Sequence, residues 1–252
     1  MKQEKWIGYN DLAWTERILA SPEEYEEEAE LYVRRIGERA ATPPKSLLHL
    51  GCGAGGHDFT FKKHFRVAGV DISEGMLEVA RERNPEIRYV LGDMRDVRLE
   101  ERFDAVIIPD SIGYMTTEDD LRAAIETANA HLPSGGVLLV TATIKDEFRN
   151  NNFVYTGSRG DVEIVVFENN YVTPSNPAIY EATVFYLIRR GDVRETYTEC
   201  HTLGLFPMKT WLRLFEDAGF DTTCTRLDDL YAPFVQQDGE YPLHVLVGVK
   251  RA

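Results

Sequence analysis

Only three cysteines occur, Cys52, Cys200 and Cys224, widely spaced and without a CxxC pair. That excludes a disulfide framework and a cysteine-based zinc site, and leaves reduced thiols as the simplest reading. Long apolar runs are missing too. Nothing approaches the roughly 18 residues that a membrane span needs, and the opening stretch MKQEKWIGYN lacks the apolar core of a secretory signal. A cytoplasmic protein with no membrane partner is therefore expected. Positive charge is the third deficit. With 28 basic against 42 acidic side chains, the formal net charge is -14. This is the wrong sign for replacing counterions on nucleic acid or for an anionic membrane surface. A cationic or neutral small ligand suits such a field better.

Apolar and aromatic side chains are plentiful. The 252 residues include 12 Phe, 12 Tyr and 3 Trp, enough to fill a core and to exclude a disordered chain. The length corresponds to one large domain carrying an insertion. Near the N-terminus, Ser21-Pro22-Glu23-Glu24 reads as a helix start with serine as the cap. Tyr25, Ala29, Tyr32, Val33 and Ile36 follow at helical spacing, and the glutamates between 23 and 30 read as that helix's solvated face. Thr42-Pro43-Pro44 ends this helical arm, residues 1–44.

From residue 45 short apolar runs alternate with amphipathic helices, which predicts a parallel α/β sheet. Strands are expected at 46–50, 66–70, 87–91, 104–109 and 137–143, and helices at 55–64, 74–83 and 118–132, the last two capped by Ser73 and Thr117. A helix at 208–218 stops at Gly219, and strands at 221–227 and 244–250 close the chain. The expected fold is α/β, a Rossmann-like doubly wound seven-stranded sheet with its last strand antiparallel. Ligands of such sheets bind at the carboxyl ends of the strands.

There the chain carries Gly51-Cys52-Gly53-Ala54-Gly55-Gly56. Gly51, Gly53 and Gly56 fit the GxGxxG of dinucleotide enzymes, and Gly51, Gly53 and Gly55 fit a GxGxG loop. Asp71, followed by Ile72, ends the second strand, where its carboxylate can accept from both hydroxyls of a ribose. Gly92-Asp93-Met94 ends the third strand, putting a carboxylate within reach of an adenine amino group and a thioether beside the ring. Pro109 closes the fourth strand beside the same site. Tyr9 and Trp14 are candidates for an N-terminal flap over the ligand.

The succession of GxGxG loop, acidic residue, Gly-Asp-Met, Pro133-Ser134-Gly135-Gly136 and a helix ending in Ala218-Gly219-Phe220 before a final strand pair resembles the class I methyltransferases. The resemblance covers about residues 45–145 and 206–250. It implies S-adenosyl-L-methionine as cofactor, held by Gly51, Cys52, Gly53, Gly55, Asp71, Ile72, Asp93, Met94 and Pro109. Asp110-Ser111-Ile112-Gly113-Tyr114 and Glu199-Cys200-His201-Thr202-Leu203-Gly204-Leu205-Phe206 narrow it. These segments look like bacterial small-molecule methyltransferases that N,N-dimethylate nucleotide-linked amino sugars. In that family an antiparallel β insert after strand five roofs the active site. Residues 146–205 suit such a lid on their own evidence, with β-rich runs at 162–167, 179–188 and 193–202. Core segments 45–145 and 206–252 would then flank it. Phe153, Tyr155, Phe167, Tyr171 and Tyr186 read as lid core.

The resemblance places Tyr114 over the transferring methyl and His201 in the roof. Two departures stand out. His49 occupies the position of the usual acidic residue two before the first glycine. Asp228-Asp229-Leu230-Tyr231-Ala232-Pro233-Phe234 replaces the glycine- and arginine-containing segment that holds the nucleotide, which favours a cationic or neutral acceptor without phosphate. The expected activity is N-methylation of a small-molecule amine by in-line displacement. A hydroxyl or carboxyl acceptor is the alternative, and a hydroxyl would require a general base, His201 first and Asp110 second. A non-catalytic adenosylmethionine-binding regulator and, more remotely, an NAD-dependent oxidoreductase are the readings from other classes. No metal site, no nucleic-acid partner, and a monomer or homodimer complete the expectation.

Overall fold

The computed structural model describes residues 6–227, 231, 233–236 and 239–252. Asp228 and Asp229 of the acidic segment lie outside the described residues. In chain order the helices are α1 (Glu16–Leu19), α2 (Glu26–Arg39), α3 (Asp58–Phe61), α4 (Glu74–Arg83), α5 (Glu118–Ala130) and α6 (Met208–Asp217). The strands are β1 (Ser46–Leu50), β2 (Arg66–Asp71), β3 (Arg88–Leu91), β4 (Ala105–Ile108), β5 (Val137–Ala142), β6 (Asn151–Arg159), β7 (Val162–Tyr171), β8 (Ile179–Arg190), β9 (Val193–Gly204), β10 (Phe220–Leu227) and β11 (Leu243–Lys250).

Seven of these strands form one sheet in the order β10-β11-β5-β4-β1-β2-β3. β11 is antiparallel to both neighbours, and the strands from β5 to β3 are parallel. The order reverses between β1 and β4, so the crevice at their carboxyl ends is the ligand position of a doubly wound sheet. Buried β1, β4 and β5 read as continuous apolar runs because helices cover both faces. Leu121 and Ile125 of α5 and Trp211 and Phe215 of α6 pack one face. Tyr32 and Ile36 of α2, Phe61 of α3 and Leu77 of α4 pack the other.

Local chemistry sets the helix ends. The Ser73 hydroxyl accepts from the Met76 amide at 3.3 Å and Thr117 accepts from Asp120 at 3.1 Å, so both expected caps form. Ser21 does not cap. Pro22–Tyr25 winds as a 3-10 turn and the α-helix begins only at Glu26. Glu28 departs from the solvated face expected of the glutamate run, being 7% exposed and turned toward the sheet. The helix expected over 55–64 shrinks to the single turn of α3, and Gly55, its expected first residue, sits at positive φ.

A second, four-stranded antiparallel sheet, β6-β7-β8-β9, is inserted between β5 and α6. The chain leaves and re-enters the core at one place, where Ile144 bridges Phe206. β6 was not expected, since its sequence NNFVYTGSR dilutes apolar residues with Asn, Gly and Ser. Period-2 alternation sorts the lid aromatics. Phe153, Tyr155 and Tyr186 take the inner face, packing in part against the N-terminal segment. Phe167 and Tyr171, expected as lid core, face outward at 37% and 44% exposure. Replacing Phe215, fully buried between α6 and β11, with alanine should cost about 3 to 5 kcal/mol, read as a lower urea midpoint at unchanged slope.

Candidate active site

Gly51, Gly53 and Gly55 have φ of 71°, 53° and 70°, whereas Gly56 does not enter the left-handed region. The loop is therefore built on the GxGxG spacing. At Gly51 a Cβ would collide with the Ser111 hydroxyl and meet the Met94 methyl at 3.0 Å, so the carboxyl ends of β1, β3 and β4 converge on this backbone. No heavy atom lies within 4 Å of a Cβ built at Gly53, which leaves open space for a ligand. Beneath the loop runs a buried brace. Asn84 donates to the Gly55 carbonyl at 2.9 Å, Tyr89 donates to Asp58 at 2.9 Å, and Asp58 meets His49 Nδ1 at 2.7 Å. The histidine at the usual acidic position is thus paired with its own carboxylate.

Asp71 follows β2 into the crevice and accepts from the Gly53 and Ser73 amides, both at 2.8 Å. Burial pushes its carboxyl up and those two bonds oppose the shift. Two donors leave lone pairs for a ribose diol. Ile72 is half-buried beside it, and Cys52 and Pro109 are buried. Burial also raises the Cys52 thiol, so this cysteine is a packing group rather than a nucleophile. Asp93 is clamped by Arg95, whose Nε reaches both carboxylate oxygens at 3.0 Å. Burial alone would raise the Asp93 carboxyl, but the Arg95 hydrogen bonds bring it below the usual range.

The N-terminal segment closes on this crevice. The Tyr9 carbonyl accepts from the Ser73 hydroxyl, and its ring packs near Ala54 and Met76. Trp14 is not brought there. It joins the apolar cluster against the lid, with the Arg190 guanidinium 4.7 Å over its ring.

Opposite the glycine loop, four side chains form a continuous chain. Tyr9 and Tyr114 hydroxyls are 2.6 Å apart, Tyr114 is 2.7 Å from His201 Nδ1, and His201 Nε2 lies 3.1 Å from Glu199. Trp6 stacks on the His201 ring at 5.2 Å. Gly204 makes this approach possible, because a Cβ there would overlap the Met115 carbonyl that follows the Tyr114 turn. Trp6 and Glu199 were not singled out from sequence. Glu199 lay inside the quoted roof segment, and its alternation with His201 puts the two on one face.

Asp110 sits at the end of β4 with φ 54°, the single described non-glycine residue at positive φ. Such strain persists where surrounding contacts over-determine it. Thr141 bonds both its amide, at 2.7 Å, and its carboxylate, at 3.2 Å, and Tyr231 donates to it at 2.7 Å. Tyr231 also reaches Glu28 at 3.3 Å, and Glu28 lies 3.1 Å from His57. His57 is therefore not a solvated residue. Burial disfavours its charge, but Glu28 outweighs that and raises its pKa. Asp110 retains solvent contact as a residue, yet loss of water around the carboxyl and the nearby Glu28 charge raise it to about 6. Asp110, Ile112, Gly113, Thr141, Tyr180 and Tyr241 are among the walls of a cleft of about 20 Å³. Among the described residues no His/Cys/Asp/Glu group could hold a metal, and no helix is long and apolar enough to cross a membrane.

A family model described as a methyltransferase domain matches residues 47–136. The chain is similar to a dTDP-3-amino-3,4,6-trideoxy-alpha-D-glucopyranose N,N-dimethyltransferase of Streptomyces venezuelae, 44% identical over 189 residues, covering 72% of this chain and 78% of the relative. It is 33% identical over 190 residues to a dTDP-3-amino-3,6-dideoxy-alpha-D-glucopyranose N,N-dimethyltransferase of Streptomyces fradiae, covering 74% and 72%. The crystal structure of Streptomyces venezuelae DesVI superposes with a TM-score of 0.77 at 26% identity, covering 95% of this chain and 96% of that one.

Two expectations come from the geometry. Asp71→Ala should weaken adenosylmethionine binding by about 1 to 3 kcal/mol in calorimetric titration, and an unchanged affinity would remove Asp71 from the site. Asp110→Asn should raise the melting temperature by roughly 2 to 4 °C at pH 7.5. The folded pKa of about 6 exceeds the ordinary 3.8, so ionised Asp110 costs stability above pH 6 and nothing below the ordinary value. The gain should fade as the pH falls from 6 to 4, and a gain independent of pH contradicts it.

Proposed function

The chain belongs to the class I S-adenosylmethionine-dependent methyltransferases, and from that premise we propose that it methylates the amino group of a small deoxyamino sugar. S-Adenosylmethionine is the cofactor, and the site fits it. The glycine loop opens at Gly53, and Asp71 keeps acceptor capacity at the end of β2. When bound, the cofactor supplies an electrophilic sulfonium methyl whose displacement leaves the electron pair of the S–C bond on sulfur. Gly51, Gly53, Gly55, Asp71 and Ile72 would hold its nucleoside, with Asp93 and Met94 toward the base. The protein's own task is alignment and exclusion of water, which is how a positioned displacement gains most of its acceleration.

One observation favours an amine over a hydroxyl. A hydroxyl acceptor needs a general base, and both candidates from the sequence are engaged by protein. His201 faces Tyr114 through Nδ1 and Glu199 through Nε2, and Asp110 accepts from Tyr231 and Thr141. An amine needs only to arrive with its lone pair free. Tyr9, Tyr114 and His201, stacked with Trp6, then form the wall that orients it. The amino-sugar class is supported by the N,N-dimethyltransferase relatives. Among the described residues the cleft walls carry a carboxylate and phenols but no lysine or arginine. That composition favours a sugar presented without a diphosphate against these walls.

Product analysis with isotope-labelled cofactor tests the proposal. The acceptors are 3-amino-3,6-dideoxyglucose, its dTDP-linked form, and matched sugars with hydroxyl or carboxyl in place of the amine. N-methylated product should form from an amino sugar, with faster turnover of the unlinked one. Labelled O-methyl product alone would contradict the amine assignment, and a requirement for dTDP would contradict the charge argument.

A further inference from the structure

Glu168 is used by neither the cofactor crevice nor the aromatic wall, yet it stands on the lid face that covers both. The strand register fixes its surroundings. Glu168 in β7 is opposite Val184 in β8, which is opposite Glu199 in β9. One row along the same face come Asn170, Ala182 and His201. The row before it carries Val166, Tyr186 and Tyr197. On the other side Glu168 faces Phe153 of β6, whose ring meets Tyr241 edge-on at 5.2 Å. The carboxylate is half-buried, and its Oε1 accepts from Asn170 Nδ2 at 2.7 Å. Among the described residues no donor reaches Oε2.

Tyrosines from several elements gather near this carboxylate. Burial raises the phenols of Tyr9, Tyr114, Tyr155, Tyr180 and Tyr241, and the Glu168 charge adds to each of those shifts. Tyr180 and Tyr241 are also walls of the cleft beside Asp110. Among the described residues, the titratable groups around Glu168 are thus Tyr9 from the N-terminal segment, Tyr114 after β4, Tyr155 of β6, Tyr180 and Tyr186 of β8, Glu199 and His201 of β9, and Tyr241 before β11. No lysine or arginine is among them. A carboxylate set among phenol rings is the chemistry that recognises an organic ammonium, through charge and through the faces of the rings.

We propose that Glu168 is the residue that receives the acceptor's ammonium and takes its proton. This rests on the N-methylation reading above and adds the protonation state in which the substrate is bound. The amino sugar enters as R–NH3+. One N–H bond breaks, an O–H bond forms on Glu168 Oε2, and the electron pair stays on nitrogen as the lone pair that attacks. Burial holds the Glu168 carboxyl above the usual range, against the Asn170 hydrogen bond and the His201 charge. That brings it closer to the basicity of an amine, whereas an alcohol stays out of reach.

Glu168→Gln tests this in two measurements, each run with 3-amino-3,6-dideoxyglucose and, in parallel, with its dTDP-linked form. In the first, acceptor binding to the protein saturated with adenosylhomocysteine is followed by calorimetry in buffers of different ionisation enthalpy. Near pH 7 the native protein should release close to no proton, because the ammonium proton moves to Glu168. The variant must bind the free amine and should release about one proton per acceptor, with apparent affinity falling tenfold for each pH unit below the amine's pKa. In the second, kcat/KM of the native enzyme should level off on the acid side of the amine's pKa, while that of Glu168→Gln keeps climbing with unit slope. Glu168→Asp should restore part of the plateau, and cofactor affinity should be unchanged in both variants. Equal proton release and superimposable pH profiles for native protein and Glu168→Gln would overturn the assignment. O-methyl product in place of N-methyl product from the native protein would instead overturn the amine reading on which it rests. If Glu168→Gln loses cofactor binding, Glu168→Ala with intact cofactor affinity and a native pH profile would overturn it as well.

Discussion

A chain of polar contacts, the Glu199–His201 pair followed by the hydrogen bonds from His201 through Tyr114 to Tyr9, ties three separate parts of the sequence into one site. Glu199 and His201 belong to the last lid strand, Tyr114 to the turn after β4, and Tyr9 to the N-terminal segment. Each link is about 2.6 to 3.1 Å, and His201 at its centre is 3% exposed, with the other three residues half-buried. Buried polar groups are costly when unpaired, so this chain also fixes where the lid and arm can sit over the crevice. Tyr9 continues it to Ser73, and Ser73 shares Asp71 with the glycine loop. The acceptor wall and the cofactor crevice are consequently positioned by one connected set of contacts.

Charge is arranged around this chain with a consistent sign. Glu28, Asp110, Glu168 and Glu199 surround an enclosure rich in tyrosine, and Glu28 raises the pKa of His57 beside it. Where hydrogen bonds outnumber the loss of water, as at Asp93, the carboxylate stays strongly acidic. Where they do not, as at Asp110, it is held up to about 6. The net charge of -14 is therefore not just a property of the surface. Part of it is turned inward, toward the space an amine would enter.

Much of the core was legible in the sequence because its signals are local. A continuous apolar strand such as Ala105–Ile108, a capping residue such as Ser73 or Thr117 and the stop at Gly219 each depend on neighbours a few residues away. The glycine loop was legible as well, and the φ values decide between the two spacings that fit it. What escaped was set by distant partners. Glu28 is buried although it lies in a glutamate run, because Tyr231, about two hundred residues on, reaches it. Strand β6 escaped because its pairing with β7, rather than its own composition, makes it a strand. Trp14 went to the lid instead of the crevice, and His49 found a buried carboxylate at Asp58. His201 and Tyr114 were singled out separately, but nothing in the sequence says that their side chains touch.

In the proposed complex the nucleoside lies on Asp71 and the acceptor nitrogen lies between the sulfur and the lid. A crystal structure with adenosylhomocysteine and 3-amino-3,6-dideoxyglucose tests it most directly. The ribose hydroxyls should sit within hydrogen-bond distance of Asp71, with the amino nitrogen in line with the sulfur, enclosed by Tyr9, Tyr114 and His201 and facing Glu168. A sugar bound with a hydroxyl oxygen in that line, or outside the space under the lid, would contradict it.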